Sequence, residues 1–226
     1  MKKIKTVVCL CGVLYTFVFF QALGINFLNS RKIVETAKIP KEKPKIAITF
    51  DDGPSKKYTP QLLDGLKERN VKASFFVIGK MAEENPELIE REKEEGHLIG
   101  NHTYNHVDIS KMSDEEAVSE IEKTNQVIEK VTKQNVEYLR APFGSWKKNL
   151  VERMNVFPVV WSVDPLDWTT ENEDEIVNKV VTEVKENDII LLHDCYQSSV
   201  DAAFRIIDIL QKEGYEFVTV DKLILE

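Results

Sequence analysis

KIAITFDDGPS, residues 45–55, sets two adjacent acids at the end of a strand-like run. Residues 45–50 read as a strand, and Asp51 and Asp52 follow it directly, ahead of Gly53-Pro54. Neighbouring carboxylates repel each other and resist burial. A bound cation, a catalytic role or a solvated turn each accounts for them, and the rest of the chain has to choose.

Working outward, six more β-rich runs recur with helical patterns between them. The strands are ASFFVI (73–78), HLIGNH (97–102), VEYLRA (136–141), FPVVWSV (157–163), DIILLHD (188–194) and YEFVTV (215–220). Helices are expected over 58–70, 85–96, 113–134, 145–155, 172–187 and 199–214. The first carries Leu62, Leu63 and Leu66 on one face. The second has Asn85 as its cap, Pro86 at its first position and Gly96 past its end. Ser113 and Glu116 have the spacing of a capping box. Near-strict alternation of strand and helix implies a parallel sheet covered by helices, in an open doubly wound form or a barrel. Asp51, Asp52, His102, Arg140, Asp164, Asp167 and His193 all fall at or just past C-terminal strand ends. In parallel α/β folds that rim is where catalytic groups gather.

The 226 residues carry a net charge of −8, unevenly spread. Residues 1–45 hold nine Lys and Arg against two Glu, which leaves roughly −15 on residues 46–226. So acidic a body is a poor partner for nucleic acid and is compatible with neutral sugars or cations. With three cysteines, two of them at Cys9 and Cys11, there is no disulfide framework. MKKIK followed by an apolar run over 6–28 has the pattern of a secretory signal or a membrane anchor. The 23-residue run is long enough to span with some tilt, and Phe20-Gln21-Ala22 has the wrong first residue for a good small-x-small cleavage site, so an uncleaved anchor is favoured. Residues 1–29 are therefore taken as signal-anchor or signal peptide, 30–44 as an exposed linker and 45–226 as one globular domain. Lysines flank both ends of the apolar run, and a plain count of positive charge would put the body inside.

NHTYNH gives His102 and His106 at i and i+4, a spacing that on a helix lets both imidazoles meet one metal. Asp52 would complete a two-His-one-carboxylate set suited to Zn²⁺ or another divalent first-row metal. Two solvated loop histidines are the plain alternative. His193 ends LLHD and reads as a general acid or base, or as a core histidine bonded to backbone. His97 begins a strand away from the rim and reads as structural. Arg140, in LRAPFG, and the acids of DPLDW have surface ion pairs and a turn as their alternatives. A serine hydrolase is disfavoured because no GxSxG elbow exists, and Ser198 and Ser199 read as ordinary loop residues. Cys195 reads as a small buried residue rather than a nucleophile.

Five motifs in order, TFDDGPS, HTYNH, RAPFG, DPLDW and LLHD, resemble those of the polysaccharide deacetylase family, carbohydrate esterase family 4, over most of residues 45–221. The resemblance implies a distorted (β/α)7 barrel and metal-dependent removal of acetyl groups from N-acetylated sugars. It implies Asp51 as catalytic base, Asp52, His102 and His106 as metal ligands, and Arg140 holding Asp51. It implies His193 as catalytic acid with its pKa raised by Asp167, the Phe143 N–H as oxyanion donor, Trp168 as a groove wall and Leu191 lining the acetate pocket. Zn²⁺ is the expected metal, with Co²⁺ or Ni²⁺ as alternatives. Phe143 stands where the family frequently has tyrosine. Asp52 stands where a branch acting on muramic acid tends to have asparagine, which favours N-acetylglucosamine substrates. Peptidoglycan is the expected polymer, with chitin oligomers or acetylated xylan as alternatives and a non-catalytic sugar-binding relic as a further one. The expected chain is monomeric and extracytoplasmic, membrane-anchored or secreted.

Overall fold

A computed structural model describes residues 42–154 and 156–224. The expected signal or anchor, most of the linker, Cys9 and Cys11 lie outside the described residues. From Lys43 onward the chain forms one compact unit.

All seven expected strands are present: β1 (Lys45–Asp51), β2 (Ser74–Val77), β3 (Leu98–Asn101), β4 (Tyr138–Leu139), β5 (Phe157–Pro158), β6 (Ile189–His193) and β7 (Glu216–Phe217). Every pairing is parallel, in the order β5-β4-β3-β2-β1-β6. The sheet curls until Val163, beyond β5, bridges to Ile190 of β6. This is a distorted β/α barrel. β7 does not stand between β6 and β1; it pairs with the first two residues of β1, while β6 runs along Ala47–Asp51. β1 is buried from Ile46 to Asp51 because it has neighbours on both edges and helices over the sheet.

The helices follow the apolar stripes: α1 (Thr59–Glu68), α2 (Gly79–Glu84), α3 (Pro86–Glu94), α4 (Asp114–Thr132), α5 (Lys148–Met154), α6 (Glu173–Glu183), α7 (Gln197–Lys212) and α8 (Val220–Ile224). α1 buries Leu62, Leu63 and Leu66, and α7 buries Val200, Ala203, Ile206, Ile207 and Leu210, all in the core around β1 and β6. Ser113 and Glu116 close the expected capping box on α4. Asn85 stands at the N-cap position of α3, as expected, but its side chain makes no capping bond: α2, unexpected from the sequence, ends there, and both the backbone N–H and the side-chain amide of Asn85 donate back to the Met81 carbonyl, at 3.1 and 2.9 Å. The strand read over 157–163 is shorter, and Val220 opens α8 rather than closing β7.

His97 is structural. Its Nδ1 accepts the Ala73 N–H at 3.0 Å, its ring meets Phe75 edge-on, and burial pushes its pKa down to about 4, so it stays neutral. Glu92 on α3 is the anomaly of the core. It is fully buried, and neither carboxyl oxygen has a hydrogen-bond partner among the described residues. Burial, reinforced by Asp194, raises its pKa well above the ordinary carboxylate value. The folded state therefore binds this proton more tightly than the unfolded chain does. Its contribution to stability falls as pH rises above the unfolded value near 4.5. Glu92→Leu should raise Tm, and the gain should grow between pH 5 and pH 8. At about 1–3 kcal/mol for removing an unpaired buried polar group, calorimetry should show a rise of several degrees at pH 8.

Candidate active site

β1, β3, β4 and β6 deliver the expected residues to one end of the barrel, where the parallel strands all finish. Asp51 is the last residue of β1, aligned with His193 of β6. It is buried, and its Oδ1 accepts from Arg140 Nη1 at 2.7 Å. Arg140 is fully buried too; the same nitrogen donates to Thr49 Oγ1 at 2.8 Å, and the guanidinium lies 4.1 Å from the Phe76 ring centroid. A charged pair this deep persists because each partner neutralises the other. The surface ion pair that was Arg140's plain alternative does not occur.

The chain turns sharply after β1. Asp52 takes φ 74°, in the left-handed region. Gly53 is required next, because a Cβ there would collide with the buried Asp194 carboxylate. His102 and His106 do converge, by a different route from the one the spacing suggested. Residues 102–106 are a loop after β3, not a helical turn, with Thr103 at φ 63° and His106 at φ 53°. His102 Nδ1 pairs with the Arg140 carbonyl at 2.7 Å. A carbonyl only accepts, so Nδ1 carries the proton and the Nε2 lone pair is left free. His102 Nε2 and His106 Nε2 lie 3.4 and 3.3 Å from Asp52 Oδ1, and 3.7 Å separates His102 Nε2 from Asp51 Oδ2.

This donor set fits a divalent metal. Asp52 Oδ1 is buried and accepts no hydrogen bond among the described residues, and the three ligand atoms lie within 4.8 Å of one another. Burial pushes Asp52 up, but His102, His106 and His193 outweigh it and hold the carboxyl below its ordinary value. Burial also lowers the His106 pKa, against the pull of Asp52, which favours the neutral ring that a metal needs.

On the other side of β1, His193 ends β6. Its Nδ1 and its backbone N–H both bond Asp167, each at 2.8 Å. Burial works to lower its pKa, and Asp167, then Asp51 and Asp52, overcome that and raise it to about 9. Asp167 is almost fully buried and accepts a third hydrogen bond, from Ser199 Oγ at 2.5 Å. Ser199, set aside in the sequence as a loop residue, lies in the first turn of α7 and is fully buried. Only the approach of Asp167 across 32 positions gives it this partner. Asp194 is likewise a residue the sequence left without a role. It is buried, bonded by Thr59 Oγ1, and burial raises its pKa to about 7. Cys195 has its pKa pushed up to about 12 by burial, so no thiolate nucleophile forms there.

Asp51, Asp52, His102, His106 and His193 open into one pocket of about 330 Å³. Phe143, Trp168 and Leu191 line it, and Trp161, Asp164, Leu166 and Tyr196 join them. Leu191 is nearly buried, whereas Trp168 and Phe143 are exposed. Phe143 takes φ 61° and sets its ring edge-on to His106, 4.8 Å away.

Comparison with known proteins agrees with this geometry. The family model for polysaccharide deacetylase matches residues 38–159. Peptidoglycan-N-acetylglucosamine deacetylase PgdA of Listeria monocytogenes is 37% identical over 201 residues, 87% of this chain and 43% of that protein, so this chain spans less than half of that relative. A peptidoglycan-N-acetylglucosamine deacetylase of Bacillus cereus is 40% identical over 198 residues, 84% of this chain and 92% of that protein. The solved structure of peptidoglycan deacetylase PdaC from Bacillus subtilis matches with a TM-score of 0.79 at 38% identity, covering 80% of this chain and 90% of that one. The chain belongs to the polysaccharide deacetylase family, carbohydrate esterase family 4.

Proposed function

We propose that this chain removes N-acetyl groups from N-acetylglucosamine units of peptidoglycan, acting outside the cytoplasm from a membrane-anchored or secreted position. One observation carries the reading. A single pocket joins a carboxylate fixed by a buried arginine, a two-His-one-carboxylate set and a histidine whose raised pKa keeps it protonated at neutral pH. Binding a sugar needs neither a base nor an acid; amide hydrolysis needs both. The names of the Listeria and Bacillus cereus relatives point to the same sugar.

Asp52, His102 and His106 are the residues that would hold the metal, with Zn²⁺ as our choice. When bound, it would supply Lewis acidity at the acetamide carbonyl and acidify the attacking water. Asp51 takes the proton from that water as the C–O bond forms. Arg140 holds Asp51 in place through Oδ1, which leaves Oδ2 to receive the proton. The Phe143 N–H donates to the oxyanion of the tetrahedral intermediate; one such donor is typically worth about 3 kcal/mol. His193 then gives its Nε2 proton to the departing nitrogen, and the C–N bond breaks to acetate and a free amine. Asp167, bonded to Nδ1, fixes the tautomer that makes this transfer available and stabilises the charged ring. Leu191 lines the space for the acetyl methyl, and Trp168 flanks the sugar.

Acetate release should be measured on peptidoglycan, chitin oligomers and acetylated xylan, with and without added Zn²⁺. Highest kcat/KM on peptidoglycan is expected; preference for xylan esters or for chitin oligomers overturns the substrate assignment. Asp51→Asn should abolish acetate release while calorimetric Zn²⁺ binding survives, whereas His102→Ala should lose the metal itself. Turnover surviving Asp51→Asn would remove Asp51 as the base.

His193 must be protonated to act, so kcat should hold below its raised pKa and fall as pH passes about 9. Asp167→Asn should move that limb down towards the ordinary histidine value near 6.5. Ser199→Ala, which leaves one Asp167 oxygen short of a donor, should lower kcat roughly tenfold with KM unchanged. Ser199→Thr, which keeps a hydroxyl donor, should retain most of the parent kcat.

A further inference from the structure

Beyond the reacting groups, the pocket mouth holds a residue whose backbone is strained and whose side chain is exposed. Leu166 takes φ 58° and ψ 41°, the left-handed region that a branched, non-glycine residue rarely adopts. Two sets of hydrogen bonds hold it there. Its N–H donates to Asp164 Oδ1 at 2.8 Å, and its carbonyl accepts from Thr169 N and Thr169 Oγ1 at 2.9 and 2.7 Å. The neighbouring residue, Asp167, is turned inward and almost fully buried, bonded to His193. Leu166 is 46% exposed and lines the pocket. Strain and exposure of an apolar side chain both oppose folding, so the arrangement points to a role outside the fold.

The surroundings say what Leu166 would meet. Among the described residues, seven large apolar side chains are exposed, and Phe143, Leu166, Trp168 and Tyr196 from that set all line this one pocket. Exposed apolar surface is therefore concentrated where the substrate enters. No Lys or Arg is among the lining residues, and the one nearby guanidinium, Arg140, is fully buried behind Asp51. Asp164 faces the same pocket. A mouth walled by exposed apolar side chains, with no Lys or Arg among its lining residues, fits the C–H face of an uncharged pyranose.

We propose that Leu166 is a specificity-determining residue that packs against the C–H face of a neutral N-acetylhexosamine chain at the pocket mouth, held in its strained conformation by Asp164 and Thr169. The inference rests on the deacetylase reading and adds a residue to it. The strain makes the role separable from a structural one. Glycine relieves a positive φ at no steric cost, and asparagine tolerates it while removing the apolar contact.

The test uses the full chain loaded with the metal that supports turnover and a tetramer of β-1,4-linked N-acetylglucosamine. Leu166→Gly and Leu166→Asn should each raise KM roughly fivefold with kcat little changed, the expected loss for a half-exposed leucine that becomes covered on binding. Thermal unfolding should stay within about 2 °C of the parent, and Leu166→Met should keep the parent KM. Quenching of tryptophan fluorescence by the same tetramer should show an equal fivefold weakening without turnover. Unchanged KM and unchanged quenching in both variants would overturn the role of Leu166, as would a KM loss that only accompanies a large fall in Tm. If the parent protein releases no acetate from any N-acetylated sugar, the deacetylase reading itself fails, which is a different result.

Discussion

The buried ion pair between Arg140 and Asp51 is the interaction on which the site depends. One guanidinium nitrogen holds both Asp51 and Thr49, and the carbonyl of the same arginine takes the Nδ1 proton of His102. β4 thus positions the residue assigned as base and one of the imidazoles assigned to the metal. Two charges taken out of water need each other, so removing either leaves the other buried and unpaired. The pair also ties the end of β4, only two residues long, to the centre of the sheet.

A second constraint is the order of strands around β1. Because β6 runs along the length of β1, His193 aligns with Asp51 across one hydrogen-bonded pair of strands. β3 ends two neighbours away and releases His102 into the same space. The C-terminal ends of β1, β3 and β6 thereby supply groups assigned as base, ligand and acid within one pocket. Positive φ angles at Asp52, Thr103, His106, Phe143 and Leu166 gather around this rim. Such conformations oppose folding, and their concentration at one end of the barrel is what a site that must aim several side chains at one point requires.

Around this centre, buried polar groups differ in how well they are satisfied. Asp167 has three donors and is firmly placed. Arg140 has one nitrogen bonded and its face against Phe76, while Nε and Nη2 have no hydrogen-bond partner among the described residues. Glu92 has none for either oxygen. The first arrangement gives a rigid acid–imidazole pair; the last weakens the fold and lies outside the pocket.

Much of the fold was legible before any coordinates. Seven β-rich runs, the apolar stripes of α1 and α7 and the capping box of α4 are local patterns, and local patterns survive tertiary packing. The position of polar residues at C-terminal strand ends also marked which rim to look at, and five motifs in order identified the family. What the sequence could not hold is anything made by residues distant along the chain. The displaced β7, the loop rather than helix that joins His102 and His106, the Ser199 bond to Asp167 and the Asp194 carboxylate that demands Gly53 all arise from close approach in three dimensions. Leu166 in DPLDW looks from the sequence like any turn residue. Its backbone is fixed by its near neighbours Asp164 and Thr169, but only the tertiary structure, by tying Asp167 of the same turn to His193 of β6, makes its side chain a wall of the pocket.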